Sequence, residues 1–265
     1  MTEAPQVSVA AEPADDPALA ECAAALAAAL GLPFISQSQA AATPMVLVRT
    51  PARLELRVLR GEPALVGGHP LAIELTQLDT RTGPGRSLKQ PLLKAAGLRK
   101  GEPRPSVLDA TAGLGEDAWL LASAGCTVMA VERSAVVAAL LRDAIVRAAA
   151  REPEAAGRLR VVHGESAAVL REMAAGDRPD VVYVDPMFPI GRKAAERKPM
   201  RIVRWLVGDD ADAAALLAAA LATAKRRVVV KRPSKAAMLG GREPTHSHHG
   251  KSVRYDVYAI GGAAR

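Results

Sequence analysis

This sequence of 265 residues has few aromatic residues, few cysteines and no long apolar run. Phenylalanine, tryptophan and tyrosine make up 3% of it, which disfavours the binding of nucleobases across a wide aromatic platform. The two cysteines, Cys22 and Cys126, are too few for a disulfide framework or a zinc site, and both are expected to be small buried side chains. Because no segment is apolar enough to span a membrane or to act as a secretory signal, we expect a protein of the reducing cytoplasm.

The composition is rich in apolar residues and has a net positive charge. Hydrophobic residues make up 49% of the sequence, which is enough for a large core, and the formal net charge is +7. The length fits one large domain, or one domain with a smaller appendage. The positive charge favours a polyanionic partner, with nucleic acid as the first choice.

The first 80 residues predict a small α+β subdomain, and residues 81–105 predict a linker with a short helix. The linker is rich in glycine, arginine and proline. An alanine-rich helix is expected at Pro17–Leu30. Residues 45–60 are expected to form two strands separated by a proline, and His69–Leu78 a further strand.

Residues 106–265 repeat a pattern of strand, loop and helix. The strands are continuous apolar runs, which is typical of a parallel sheet covered by helices on both faces. The sequence therefore predicts an α/β fold with a doubly wound, mostly parallel sheet. Ser134 is expected to cap the second helix of this region, and the histidine-rich segment 245–250 is expected to be a flexible loop with no metal.

Polar residues follow five of the expected strands, at the point where each strand ends. These strand-end residues are Asp109, Glu132 with Arg133, His163 to Ser166, Asp185 to Phe188, and Lys231 with Arg232. Because the carboxyl ends of parallel strands meet at one edge of a sheet, these side chains are expected to line one crevice.

A glycine turn follows the first of these strands. Gly113 and Gly115 allow a tight turn and a close approach of a ligand to the backbone. The relaxed glycine pattern alone fits a dinucleotide, but the acids Asp109, Glu116 and Asp117 disfavour a pyrophosphate. They favour a nucleoside with a cationic tail, such as S-adenosylmethionine. Asp109 could equally serve as a helix cap.

The segment Asp185-Pro186-Met187-Phe188 suggests a site for an exocyclic amine. The Asp185 carboxylate and the Pro186 carbonyl oxygen could accept the two amine hydrogens, and Phe188 could stack on the base. The prolines would hold both acceptors in place before the substrate arrives. Glu132, at the end of the second strand of residues 106–265, could accept hydrogen bonds from both hydroxyls of a ribose.

The segments VLDATAGLGEDAWLLASAGCTVMAVERSAVVAALL, VVYVDPMFP and RVVVKRP resemble the bacterial ribosomal RNA small subunit methyltransferase J family. The resemblance implies a class I, Rossmann-like methyltransferase that transfers methyl from S-adenosylmethionine to N2 of one guanosine in small-subunit (16S) ribosomal RNA. Glu116 and Glu165 depart from the residues usual in that family, and Met187 departs from the second proline in the Pro-Pro-aromatic motif of the wider class I methyltransferases that modify amino groups. The cofactor contacts that it implies fall on Glu116, Asp117, Glu132, Arg133, Glu165, Ser166 and Asp185.

Basic residues near the expected site are candidates for contacts with the RNA backbone. They are Arg86 and Lys89 in the linker, and Lys231 and Arg232 at a strand end. The partner would be ribosomal RNA or the assembled small subunit, without a membrane or a metal. Two alternatives stay open from the residues alone: an NAD(P)-dependent oxidoreductase and a non-catalytic RNA-binding assembly factor.

Overall fold

A computed structural model describes residues 5–36, 39, 43–78, 87–187, 197–208 and 212–261. In chain order its helices are α1 (Pro17–Leu30), α2 (Pro91–Ala95), α3 (Glu116–Ser123), α4 (Ala135–Ala149), α5 (Pro153–Arg158), α6 (Ser166–Glu172), α7 (Lys198–Val207) and α8 (Ala213–Thr223). Its strands are β1 (Val7–Ala11), β2 (Met45–Arg49), β3 (Leu54–Val58), β4 (Ser106–Asp109), β5 (Thr127–Glu132), β6 (Leu159–His163), β7 (Val181–Val184), β8 (Arg227–Pro233), β9 (His246–His249) and β10 (Val253–Ala259).

The chain divides into two compact units that interleave along the sequence. The first holds the described residues of Met1–Glu74, Ser134–Arg147 and Pro189–Asp209. The second holds those of Leu75–Arg133, Ala148–Phe188 and Asp210–Arg265. The sequence-based boundaries near residues 80 and 105 remain predictions, because packing units and domains need not coincide.

The first unit contains a sheet in the order β1-β2-β3, with β1 parallel and β3 antiparallel to β2. Helix α1 follows β1: the Asp16 carboxylate accepts hydrogen bonds from the first-turn amides, and Gly31 ends the helix at φ 66°. Within the same unit, the Arg147 guanidinium lies 2.8 Å from Asp143 and 2.7 Å from Glu74. These ion pairs join α4 to the segment that follows β3.

The second unit contains a sheet in the order β6-β5-β4-β7-β8-β10-β9. The strands from β6 to β8 are parallel, while β10 runs antiparallel to both β8 and β9. Val182 and Val184 of β7 are buried in a core with Leu216 and Leu217 of α8. Tyr183, between the two valines, points to the opposite face, where its hydroxyl meets α3. This is the doubly wound α/β fold that the strand and helix pattern predicted.

Several local predictions are confirmed and others are wrong. Helix Pro17–Leu30 and the Ser134 cap are present, with the Val137 amide 3.3 Å from the Ser134 hydroxyl. His69–Leu78 is not a strand: it makes one isolated bridge and then a 3-10 turn, although its apolar side chains alternate in burial as a strand's would. The histidine-rich segment is not a loop, because His246–His249 pairs with β10.

Two further corrections concern single positions and short elements. Cys126 is buried, but Cys22 is exposed, since α1 turns Ala23 and Ala27 inward and leaves Cys22 on the solvent side. Strand β1 and helix α7 were not predicted: β1 is a five-residue run between Pro5 and Pro13, and α7 is an amphipathic helix that carries Pro199 in its first turn. Among the described helices, none has the length and apolarity needed to cross a bilayer.

Candidate functional site

The parallel part of the sheet brings the predicted strand-end residues to one edge. Asp109 ends β4, Glu132 ends β5, Asp185 follows β7, and Lys231 lies near the end of β8. Since these strands run in the same direction, their carboxyl ends form the rim of one crevice. A separate cavity of about 230 Å³ opens at the other ends of β4 and β5, beside Ser106 and Thr127, and does not belong to this crevice.

The glycine turn is tied to the end of β5. Gly113 and Gly115 adopt φ values of 50° and 75°, which side chains with a Cβ rarely tolerate, and Gly115 caps the start of α3. The Gly113 amide donates a hydrogen bond of 2.9 Å to Oε2 of Glu132. Glu132 is 6% exposed, so its carboxylate is a fixed part of the wall of the turn.

A lysine and two aspartates form the centre of the site. Nζ of Lys231 lies 2.7 Å from Oδ2 of Asp117, in the first turn of α3, and 2.9 Å from Oδ2 of Asp185. The Tyr183 hydroxyl donates a bond of 2.5 Å to the same oxygen of Asp117. The Asp185 amide donates to the Thr111 hydroxyl at 2.6 Å. The segment after β7 is therefore joined to the glycine turn after β4 and to β8.

Burial and charge alter the proton affinities of this group. The pKa of the Asp109 carboxyl rises to about 8, chiefly because it is buried and further because Asp117 and Asp185 lie near it. Burial acts to lower the pKa of Lys231, but the carboxylates of Asp185 and Asp117 outweigh it and raise the pKa above the usual lysine value. Burial, followed by the charge of Asp117, raises the pKa of Tyr255 on β10 to about 12. At neutral pH Lys231 is thus charged and Asp109 mostly protonated.

The start of α6 supplies another part of the rim. The Ser166 hydroxyl donates a bond of 2.6 Å to the Ala110 carbonyl oxygen and is buried. Glu165, just before α6, keeps an exposed side chain whose carboxylate lies 3.9 Å from Arg133. Arg133 also bonds Asp212 at 3.2 Å. Both charged side chains therefore reach the rim, while Ser166 fixes the backbone beneath it.

Other predicted site residues lie elsewhere or outside the described residues. Phe188 and Arg86 belong to the segments that the structure does not describe. Pro186 is buried next to Asp185, and Lys89 is exposed before α2. Arg232 is 3% exposed and its guanidinium lies 3.9 Å from the buried Asp256 carboxylate on β10. The roles proposed for these residues from the sequence stay predictions.

Sequence reasoning missed three residues of this cluster: Thr111, Tyr183 and Tyr255. Thr111 lies inside the glycine turn, where attention falls on glycines and acids. Tyr183 lies in an apolar strand, and Tyr255 is a buried aromatic residue of β10, so both resemble core residues. The hydroxyl group was the feature that could have identified them, because the hydroxyl of a buried tyrosine needs a polar partner. For Tyr183 that partner is the Asp117 carboxylate.

The site fits a nucleoside cofactor with a cationic end. Asp117 and Asp185 present carboxylate oxygens beside a glycine turn, and the buried Glu132 carboxylate faces that turn from the next strand. Such a set attracts a positive ligand and disfavours a pyrophosphate, in agreement with S-adenosylmethionine. Among the described residues, no group of three or more histidines, cysteines and acids is placed to hold a metal ion.

Comparison with known proteins gives a consistent answer. The family model described as "Putative SAM-dependent methyltransferase" matches residues 26–260. The ribosomal RNA small subunit methyltransferase J of Thioalkalivibrio sulfidiphilus is 45% identical over 247 residues, covering 92% of this chain and 94% of that protein. The protein of the same name from Aeromonas hydrophila is 46% identical over 256 residues, covering 94% and 98%.

A solved structure supports the same assignment. The crystal structure of a SAM-dependent methyltransferase from Neisseria gonorrhoeae is similar to this chain with 31% identity and a TM-score of 0.69, and the match covers 97% of each chain. The family assignment decides against the oxidoreductase alternative that the glycine pattern alone allowed. The chain belongs to the ribosomal RNA small subunit methyltransferase J family of SAM-dependent methyltransferases.

Proposed function

We propose that this protein methylates the exocyclic N2 amine of a specific guanosine in small-subunit (16S) ribosomal RNA, in the cytoplasm. The observation that carries the proposal is the joining of Asp185 to the glycine turn, through the Thr111 hydroxyl and through Lys231 and Asp117. The amine-binding segment and the cofactor turn thus belong to one crevice. The names of the relatives support ribosomal RNA as the substrate.

S-adenosylmethionine, when bound, supplies a methyl group on a positively charged sulfur. Glu132 would accept hydrogen bonds from the ribose hydroxyls, while the carboxylates near the turn would balance the positive charges of the cofactor. Glu116, Arg133, Glu165 and Ser166 belong to the same proposed contact set. Gly113 and Gly115 let the backbone approach the ligand closely.

The contribution of Asp185 and Pro186 is to bind and orient the amine. The carboxylate and the carbonyl oxygen would each accept one N–H, which turns the nitrogen lone pair out of the base plane and towards the methyl group. The nitrogen would gain a bond to the methyl carbon as the sulfur–carbon bond of the donor breaks and leaves a neutral thioether, and the extra proton of the nitrogen would be released to solvent afterwards. No strong base is required, so the main catalytic effect is orientation.

The substrate must present an accessible base. A guanine amine inside a helix cannot reach a crevice at the edge of a sheet, so the target is unpaired or turned out of its stack. Phe188 would stack on it, and Arg86 and Lys89 would contact phosphates. Arg232, buried beside Asp256, is not exposed for the phosphate contact expected from the sequence. The proposed substrate is small-subunit ribosomal RNA, either as naked RNA or within the assembled subunit.

Methyl transfer to a mapped nucleotide tests the proposal. Purified protein is incubated with methyl-labelled S-adenosylmethionine and either ribosomal RNA or small subunits from cells that lack this enzyme, and the labelled base is located. Asp185→Ala is expected to reduce transfer by at least about 100-fold while cofactor affinity, measured by calorimetry, changes by less than about threefold.

The matched control is Glu154→Ala, which removes an exposed carboxylate on α5 whose ion pair with Arg158 lies on the surface. It should behave as the unaltered protein. Label on an atom other than guanine N2 contradicts the substrate assignment. RNA binding without any transfer would instead support the non-catalytic assembly factor.

A further inference from the structure

Lys231 holds a central place in the site that a role in phosphate binding does not explain. Its ammonium bridges Asp117 on α3 and Asp185 after β7, with N–O distances of 2.7 and 2.9 Å. Its side chain is 24% exposed, close to the 22% of Asp117 and below the 35% of Asp185. The lysine therefore points into the crevice and away from the surface that an RNA backbone would meet.

The bridge completes a two-point attachment of Asp185. The backbone amide of Asp185 is fixed by the Thr111 hydroxyl, and the carboxylate is fixed by Lys231. Asp117, the other anchor of the ammonium, is itself held by the Tyr183 hydroxyl. Backbone and side chain of the amine acceptor are thus both constrained from neighbouring strands.

The charges around Asp185 make this lysine necessary for a second reason. The carboxyl group of Asp109 on β4 interacts electrostatically with the Asp185 carboxylate, and Asp117 on α3 shares the Lys231 ammonium with it. The hydroxyls of Tyr183 on β7 and Tyr255 on β10 also interact with Asp185. Neighbouring carboxylates favour protonation of one another. The ammonium of Lys231, whose nitrogen lies 2.7 Å from Asp117 and 2.9 Å from Asp185, opposes that tendency.

We propose that Lys231 is a positioning residue, which keeps the Asp185 carboxylate ionised and aimed at the substrate amine. This inference rests on the proposed function, since it deepens the role of the same site. It replaces, for this lysine, the phosphate contact expected from the sequence. A protonated Asp185 offers a poorer acceptor to an N–H donor, so loss of the ammonium acts on the amine-binding step through Asp185.

The test compares Lys231→Met, Lys231→Arg and Lys225→Met in the full chain. Lys225 is exposed just before β8, at the opposite end of that strand, so Lys225→Met controls for the loss of one positive charge. Methyl transfer to small subunits is measured between pH 5.5 and 9 to give kcat and the KM for RNA. Cofactor affinity and thermal unfolding are measured on the same samples.

Lys231→Met is expected to lower kcat at pH 6.5 by at least about tenfold, with a smaller deficit at higher pH because Asp185 then loses its proton without help. The acid limb of its pH–rate profile moves to higher pH. Cofactor affinity and the KM for RNA stay within about threefold of the unaltered protein. Lys231→Arg is expected to leave the acid limb in place, because it retains the positive charge. Its kcat is expected to be reduced, because a planar guanidinium replaces the compact ammonium.

Different failures lead to different conclusions. A deficit in Lys231→Met that is equal at every pH, an unchanged kcat, or a raised KM for RNA with unchanged kcat overturns the positioning role. If Lys231→Met does not fold, Lys231→Arg decides: a shifted acid limb in that variant overturns the proposal. Absence of transfer by both the unaltered protein and Lys225→Met refutes the proposed function itself.

Discussion

At the scale of single residues, Asp109 shows what burial does to a predicted site group. The sequence left it open whether this carboxylate caps a helix or faces the cofactor. In the structure its Oδ1 accepts the Thr111 amide, and its 1% exposure makes the ionised form costly. A group that looked like a negative charge in the sequence is mostly neutral at pH 7, because its pKa is raised to about 8.

This shift predicts a pH dependence of stability. The folded-state pKa of about 8 exceeds the ordinary aspartate pKa of 3.8, so the folded state keeps a proton that the unfolded state loses between those two values. The unfolding free energy contributed by Asp109 therefore falls as pH rises through this window, by at most about 1.4 kcal/mol per pH unit. Asp109→Asn keeps the acceptor for Thr111 and removes the titration.

Urea unfolding of Asp109→Asn and the unaltered protein at pH 5, 6, 7 and 8 measures the difference. The stability of the variant relative to the unaltered protein should improve steadily with pH. The comparison at each pH cancels the contributions of all other titrating groups. A constant difference across the series would mean that Asp109 is ionised in the folded protein.

Residue-level prediction succeeded where a polar residue ends an apolar strand. Asp109, Glu132 and Asp185 were recognisable because a charged side chain is unusual immediately after a buried run. The bond from Gly113 to Glu132 and the bridge made by Lys231 were not recognisable, since they join residues far apart in sequence. Strand order alone does not specify which acid a lysine meets.

At the scale of elements, two short segments escaped sequence analysis for different reasons. His246–His249 carries no strand pattern of its own, and its pairing comes from β10 beside it. His69–Leu78 has the alternating pattern but little pairing: Leu71 and Leu56 exchange two hydrogen bonds, and the chain then leaves the sheet. Burial periodicity and hydrogen-bonded pairing are separate properties, and only the first is visible in a sequence.

Helix α7 illustrates a contact that depends on a glycine. Gly61, at φ 120°, lies against Trp205 of α7 so closely that an added Cβ would come within 2.1 Å of the indole ring. Gly67, at φ 65°, has nothing within 4 Å of the same position. Both glycines have positive φ, but only Gly61 has a neighbouring side chain in the space that a Cβ would occupy.

Gly61→Ala is expected to destabilise the protein more than Gly67→Ala. Backbone strain should cost about 1–2 kcal/mol in Gly67→Ala and at least as much in Gly61→Ala, whose φ lies outside the left-handed helical region. Displacement of the indole adds about 1–3 kcal/mol in Gly61→Ala. Thermal unfolding midpoints of both variants test the difference. Equal midpoints would show that Trp205 does not pack on Gly61 in solution.

At the scale of the whole molecule, the +7 charge and the sheet topology have separate consequences. Part of the positive charge is paired within the protein, as in the contacts of Arg147 with Asp143 and Glu74. The remainder favours association with a polyanion over a wide area. The α/β class followed from the alternation of strands and helices, but the antiparallel β10 and β9 depend on pairings that periodicity does not reveal.

This charge predicts a difference in salt dependence between the two ligands. Each phosphate neutralised on single-stranded RNA contributes about −0.7 to the slope of log affinity against log salt. Two or more contacts therefore predict a slope of about −1.4 or steeper for RNA, while cofactor affinity should vary little. Filter binding and calorimetry between 50 and 300 mM salt measure both slopes, and a flat RNA slope contradicts backbone recognition.

The position of β4 at the centre of the five parallel strands separates two groups of site residues. Strands β5 and β6 lie to one side of it, and their ends carry the groups assigned to the cofactor; β7 and β8 lie to the other, with the groups assigned to the target base. The two halves meet at the glycine turn and at the lysine bridge. An enzyme built in this way can acquire a new target through changes on one side while its methyl donor stays the same.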